Sequence, residues 1–200
     1  MNTMGSLRRR WIRGVALVAA GFLVAGQESS AAQIWKFGLG DRSVNYRTYK
    51  DPAGRFELEY PAKDWRLLPS AGASLALFSR NDGAAAVSID YLRLTATLAP
   101  SQIGTMAEVE IQDLKERHPQ AKDFTSEITD AKAGRGAVIR YVSVGSRGPE
   151  RVIQYSLPVG QDLYRVIGIV AESALAKYEP VLIHILGSFN PSSAATSSKD

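Results

Sequence analysis

The chain contains no cysteine among its 200 residues. Disulfides, thiolate metal sites, a cysteine nucleophile and a lipidated N-terminal cysteine are all excluded. Histidine is almost as scarce: His118 and His184 are the whole complement. Neither has another ligand at metal-site spacing, so both read as structural or solvated residues and no metal centre is expected. There is no Gly-x-Ser-x-Gly elbow, Gly38-x-Gly40 has no third glycine, and no phosphate-binding turn follows it. Charge of one sign is also lacking where it would matter. Over residues 33–200 there are 20 Lys and Arg against 19 Asp and Glu. A domain so nearly neutral has no electrostatic footprint for a phosphate backbone, and nucleic-acid binding is not expected.

Nor does the chain hold an uninterrupted apolar run of the roughly 20 residues that cross a bilayer. The longest, Val15 to Ala25, is shorter. It follows Arg8, Arg9, Arg10 and Arg13 and precedes Ser30-Ala31-Ala32. A basic segment, a short apolar segment and small residues in that order describe an export signal over residues 1–32, cleaved near Ala32 to leave Gln33 as the first residue. The expected location is extracytoplasmic: periplasm, lumen or secreted, with no transmembrane span after cleavage. Arg8-Arg9-Arg10-Trp11-Ile12-Arg13 resembles a twin-arginine signal, and both the Sec and twin-arginine routes stay open.

Residues 33–48 mix aromatic, glycine and charged residues without a sustained period and read as an extended lead-in. Residues 190–200 are rich in Ser, Ala and Thr and read as a disordered tail. Between them the period is mostly two. Phe56, Leu58 and Tyr60 alternate with Glu57 and Glu59 up to Pro61, and further strands are expected at Trp65–Leu68, Ser74–Ser79 and Ala86–Leu94 as an antiparallel meander. The apolar phase changes within Ala86–Leu94, which suggests a bulge or a strand covered on both faces.

Pro100 to His118 switches to helical spacing through Ile103, Ala107, Ile111 and Leu114, and His118-Pro119 ends it. Strands are expected again at Phe124–Thr129, Ala137–Val144, Arg151–Val159 and Leu163–Ala171. The last is apolar on both faces and should be central. A closing helix over about Ser173–Leu186 carries Leu175, Tyr178, Leu182, Ile185 and Leu186 on one stripe. Pro180 requires it either to begin near Lys177 or to kink. Strands in two groups, each followed by a helix, define an α+β fold: an antiparallel β-sheet flanked by helices.

Asp51-Pro52-Ala53-Gly54-Arg55-Phe56, Tyr60-Pro61, Trp65 and the closing Gly187-Ser188-Phe189 together resemble the PsbP-like family over about residues 49–189. The resemblance implies an α/β/α sandwich in which Phe56, Tyr60 and Trp65 are core, Pro61 ends a strand and Phe189 packs on the sheet. The chain is similar to a divergent, exported bacterial-type member. The family includes extrinsic subunits of photosystem II, Ran-binding Mog-type proteins and exported bacterial proteins. What this implies is a binding or accessory module.

The acidic residues Glu108, Glu110, Asp113 and Glu116 fall on the first helix. Most lie on its solvated face, but Glu110 lies near the apolar stripe, where it either snorkels at the rim or is a partly buried acid. Arg140, Tyr141, Arg147, Arg151, Gln154, Tyr155, Tyr164 and Arg165 are the residue types that anchor interfaces. Of these, Arg147, Arg151, Tyr155 and Arg165 are the candidate partner-binding residues, with the loop Ser146-Arg147-Gly148-Pro149-Glu150 foremost. The expected function is a non-enzymatic interaction module docking on a protein in the envelope or at the membrane surface, without cofactor or catalytic residues. The alternative is an exported small-ligand carrier or hydrolase with a pocket between sheet and helix.

Overall fold

The computed structural model describes residues 44–70 and 74–192. The expected leader 1–32, the lead-in up to residue 43 and the tail from residue 193 lie outside the described residues. The strands are Tyr46–Lys50 (β1), Phe56–Pro61 (β2), Trp65–Leu68 (β3), Ser74–Arg80 (β4), Ala85–Arg93 (β5), Lys122–Ala131 (β6), Gly134–Gly145 (β7), Gly148–Val159 (β8), Asp162–Ala171 (β9) and Asn190–Pro191 (β10). The helices are Ile103–Arg117 (α1) and Leu175–Ser188 (α2). Seven strands form one sheet in the order β3-β4-β5-β9-β8-β7-β6, and β1, β2 and β10 form a separate three-stranded sheet. Every pairing is antiparallel. The fold class is therefore α+β, with layers on both faces of the large sheet.

β9 lies at the centre of the large sheet, as its two apolar faces require. Tyr164, Val166 and Val170 join the main core, which also holds Val87, Ile89, Ile153, Tyr155, Leu157 and the α2 residues Leu182, Ile185 and Leu186. Ile167 and Ile169 point to the opposite face, toward a second core of Ile103, Ala107, Leu114, Ala137, Ile139, Tyr141 and Val152 beneath α1. The small sheet closes the main core beside α2. Tyr60 packs on Phe78 with ring centroids 4.6 Å apart, and Phe189 lies between Phe56 and Tyr164 at 5.3 and 5.4 Å. His184 bonds Glu59 at 2.8 Å and stacks on Tyr46 at 3.8 Å, fastening α2 to this sheet.

Four differences from the sequence reading have local causes. β2 is not the first strand of the meander, which consists of β3, β4 and β5 alone. Pro61 has no N–H to continue a ladder, and Asp64 adopts φ 63°, so the chain turns out of one sheet and into the other. Residues 46–50 are a strand and Asn190–Pro191 pairs with β2, extending the ordered domain at both ends. The register shift lies in β4, between Ser74 and Ala76, while β5 pairs regularly with β9 from Ala85 to Arg93. α2 starts at Leu175 and runs through Pro180. Ala176 and Pro180 are both exposed, so water can reach the carbonyl that loses its helical bond.

Candidate docking site

One end of the large sheet gathers the turn between β4 and β5, the turn between β7 and β8, and the exit from β9 into α2. The chemistry of each turn explains its shape. In Asn81-Asp82-Gly83 the Asp82 carboxylate accepts the Ala84 N–H at 3.0 Å, and Gly83 takes φ 70°, a left-handed value that suits glycine. The Ala84 N–H, and then the Arg80 guanidinium at 2.8 Å, hold the Asp82 carboxyl below the usual carboxylate range. Arg80 also lies over the Tyr178 ring of α2, 4.7 Å from its centroid. In the second turn Gly148 takes φ 113° and closes β7 onto β8.

Arg147 joins the two turns. Its Nη1 donates to the Asp82 carbonyl at 2.9 Å, and the guanidinium lies on Gly83 so closely that a Cβ there would stand 2.6 Å from Nη1. The side chain remains exposed. Arg151, at the start of β8, donates from Nη2 to Glu172 at 3.3 Å, while its Nε is buried without a hydrogen-bond partner. The Ala171 N–H donates to the Ala84 carbonyl at 3.0 Å, closing the third side of the cluster. This end thus presents two guanidinium groups, Arg147 on the turn between β7 and β8 and Arg151 on β8 just beyond it. A carboxylate-bearing partner is the complement of that geometry.

The other two candidates lie elsewhere. Tyr155 is completely buried in the main core, and its hydroxyl donates to the Gly134 carbonyl at 3.0 Å. Burial raises its pKa, and the residue has no surface to offer a partner. Its alternation with aliphatic neighbours along β8 is a core pattern. Arg165 faces α1, where its Nε is 2.5 Å from Glu110 Oε1. Glu110 is buried there and does not snorkel; Gln154 Nε2 donates to its other oxygen at 3.3 Å and to Ser156 Oγ at 2.9 Å. Arg140 pairs with Glu127 at 2.9 Å. Tyr141 stacks with Phe124, and Tyr164 contacts Phe189. The interface-type residues are therefore spread over two cores and two surfaces.

Sequence reasoning missed Arg80, Asp82 and Glu172 as neighbours of Arg147 and Arg151. Asn81-Asp82-Gly83 has turn chemistry of its own, but no local pattern says that this turn meets one more than 60 residues away. Two shallow surface hollows are open to solvent: one lined by Thr125, Ser126, Glu127 and Arg140, the other between the small sheet and Lys132. Neither lies between the large sheet and α2, where Gly168 lets Leu182 and Leu186 approach the strand backbone.

No family model matches the chain, and no curated protein matches it in sequence. Solved structures do match in shape. Cyanobacterial PsbP (CyanoP) from Synechocystis superposes with a TM-score of 0.60 at 13% identity, covering 78% of this chain and 96% of its own. The Saccharomyces cerevisiae Ran-binding protein Mog1p gives 0.52 at 10% identity, covering 74% and 95%. LpqN, involved in cell envelope biogenesis of Mycobacterium tuberculosis, gives 0.51 at 11% identity, covering 76% and 93%. These likenesses, each spanning nearly the whole of the other chain, establish the fold as PsbP-like, the one implied by the Asp51–Phe56, Tyr60-Pro61 and Ser188-Phe189 motifs. Among the described residues no helix is long and apolar enough to cross a membrane.

Proposed function

We propose that this chain is an exported, non-enzymatic accessory module that docks onto a protein of an extracytoplasmic or membrane-bound assembly through the sheet end carrying Arg147 and Arg151. The observation that carries the reading is the bond from Arg147 to the Asp82 carbonyl, which fixes two turns side by side while leaving the guanidinium in solvent. A preorganised guanidinium loses less entropy on binding than a free one. The packed contact of Leu182 and Leu186 on Gly168 favours a module over a carrier with a pocket between sheet and α2. Three proteins of the same fold are consistent with accessory roles: a cyanobacterial PsbP, a Ran-binding protein and a protein of envelope biogenesis. Fold likeness by itself does not transfer any of their partners.

The test is affinity capture of the protein from native envelope extract, followed by titration of the purified partner against the parent and an Arg147→Ala, Arg151→Ala variant. The expected result is a partner whose binding is lost in the variant while the melting temperature stays the same. A copurifying small molecule, a turnover activity, or equal binding by the variant overturns the reading. Intact mass of the exported protein tests the location: a chain beginning at Gln33 supports export, and a chain recovered from the cytoplasm still beginning at Met1 refutes it.

A further inference from the structure

Among the large hydrophobic side chains exposed in the described residues, Val144, 58% exposed, is the one that shares a hairpin with Arg147 and Arg151. The β7–β8 ladder runs without a register shift from Ala137 opposite Ser156 to Gly145 opposite Gly148, so the face of each side chain follows from alternation. Val138 on β7 and Ile153 on β8 point into the main core. Val142 and Val144 therefore share that face, as do Arg151 and Pro149. Val144 stands directly opposite Pro149, which is also exposed, and diagonally from Arg151. Where the core ends, this face of the sheet thus carries an apolar step with a guanidinium beside it.

An exposed ion pair is worth little in water, because solvent competes for both charges. Arg151 by itself would hold a partner weakly. An apolar side chain laid over Val144 and Pro149 adds buried area and excludes water from the neighbouring charge, the combination found where a few residues carry most of an interface. Glu172 holds Arg151 only at 3.3 Å with both side chains partly exposed, so an incoming carboxylate can displace it.

Resting on the docking reading above, we infer that the occupant of this step is an extended segment of the partner in which a large apolar residue and a carboxylate stand two positions apart. Residues i and i+2 of an extended chain project to the same side about 7 Å apart. Diagonal neighbours across an antiparallel ladder, such as Val144 and Arg151, are separated by about 7–8 Å. The apolar residue then covers Val144 and Pro149 while the carboxylate reaches Arg151. A carboxylate at the adjacent position points away.

The probe is the peptide acetyl-Thr-Phe-Thr-Glu-Thr-amide, titrated to millimolar concentration into isotope-labelled protein and followed by the backbone amide shifts. The expected shifts cluster over residues 142–151. Replacing Glu by Gln, replacing Phe by Ser, or moving Glu next to Phe should each weaken binding by roughly five- to tenfold. Val144→Ser and Arg151→Ala should each weaken the unaltered peptide to the same extent, with the rest of the amide spectrum retained. No binding, shifts centred elsewhere, or equal binding by the altered peptides or by either variant overturns the inference. If the peptide fails while the purified partner is still lost by the Arg147→Ala, Arg151→Ala variant, this inference falls and the docking reading stands. If the variant keeps the partner as well, both fall.

Discussion

Arg165 on β9 and Glu110 on α1 meet at 2.5 Å, an ion pair set among the apolar contacts by which the second core joins helix and sheet. Glu110 also accepts a hydrogen bond from Gln154, so one buried carboxylate serves two strands. Removing it takes from the Arg165 guanidinium and the Gln154 amide the acceptor they share, while Gln154 keeps its bond to Ser156 Oγ. Arg165 keeps some contact with solvent and has Asp90 as its cross-strand neighbour, which moderates the loss.

Glu110→Leu should therefore destabilise the domain by about 2–4 kcal/mol, at or below the range for breaking a fully buried pair. The double variant Glu110→Leu, Arg165→Met should be more stable than the sum of its single variants, because it removes both charges together. Urea unfolding of the four proteins gives the coupling energy. Strict additivity would show that the two side chains are neighbours without being energetically linked.

Glu110 also shows where the sequence stopped being legible. Helical spacing placed it close to Ile103, Ala107 and Leu114, yet its partner lies 55 positions away on a strand. The alternation in β2 and the two apolar faces of β9 were readable because each element carries its own burial pattern. The division into two sheets was not, since β2 has the same one-sided pattern in either sheet and only the turn at Pro61–Asp64 decides. Arg147 and Arg151 were chosen by residue type and by their place in or next to the loop between β7 and β8. Tyr155 was chosen by the same criterion and lies in the core, because Tyr serves interfaces and interiors alike.

The Asp51–Arg55 turn provides a pH test. Asp51 is buried, and its carboxylate accepts from Arg55 Nε at 2.7 Å, Nη2 at 2.8 Å and the backbone N–H at 3.1 Å. The Arg55 side chain is the main cause that holds the Asp51 carboxyl below its ordinary value. A depressed folded pKa means stability that is fully present above the unfolded value of about 3.9 and is lost as pH falls through the folded value. Asp51→Asn should destabilise the protein at neutral pH and show a shrinking penalty below about pH 4. Denaturant midpoints of parent and variant at both pH values decide it; a constant difference would mean that the charge does not contribute.

Gly136 on β7 is required for a reason unrelated to turns. A Cβ at this position would lie 2.5 Å from the Ser156 carbonyl oxygen and 2.7 Å from the Tyr155 ring. The backbone oxygen belongs to the adjacent strand and cannot move aside without disturbing the β7–β8 ladder. Gly136→Ala should lower stability by roughly 1–3 kcal/mol through overpacking. Gly104, on α1, faces open space where a methyl group would stand, so Gly104→Ala is the control and should be neutral or stabilising. Thermal melting of the two variants side by side is the measurement. Equal melting temperatures would show that the strands separate enough to admit a methyl group.

Glu172 separates the docking reading from a purely structural role for Arg151. The pair spans 3.3 Å with both side chains partly exposed, so its loss should change stability by less than about 1 kcal/mol. Within the proposed site, however, Glu172 competes with an incoming carboxylate for the same guanidinium. Glu172→Ala should therefore tighten binding of the captured partner, whereas Arg151→Ala should weaken it. Both effects should diminish at high salt, since the site lies at the surface. Titration of each variant against the purified partner at two ionic strengths reads the sign directly. If the two substitutions weaken binding equally, the ion pair acts as a brace for the turn and the partner is recognised by other groups.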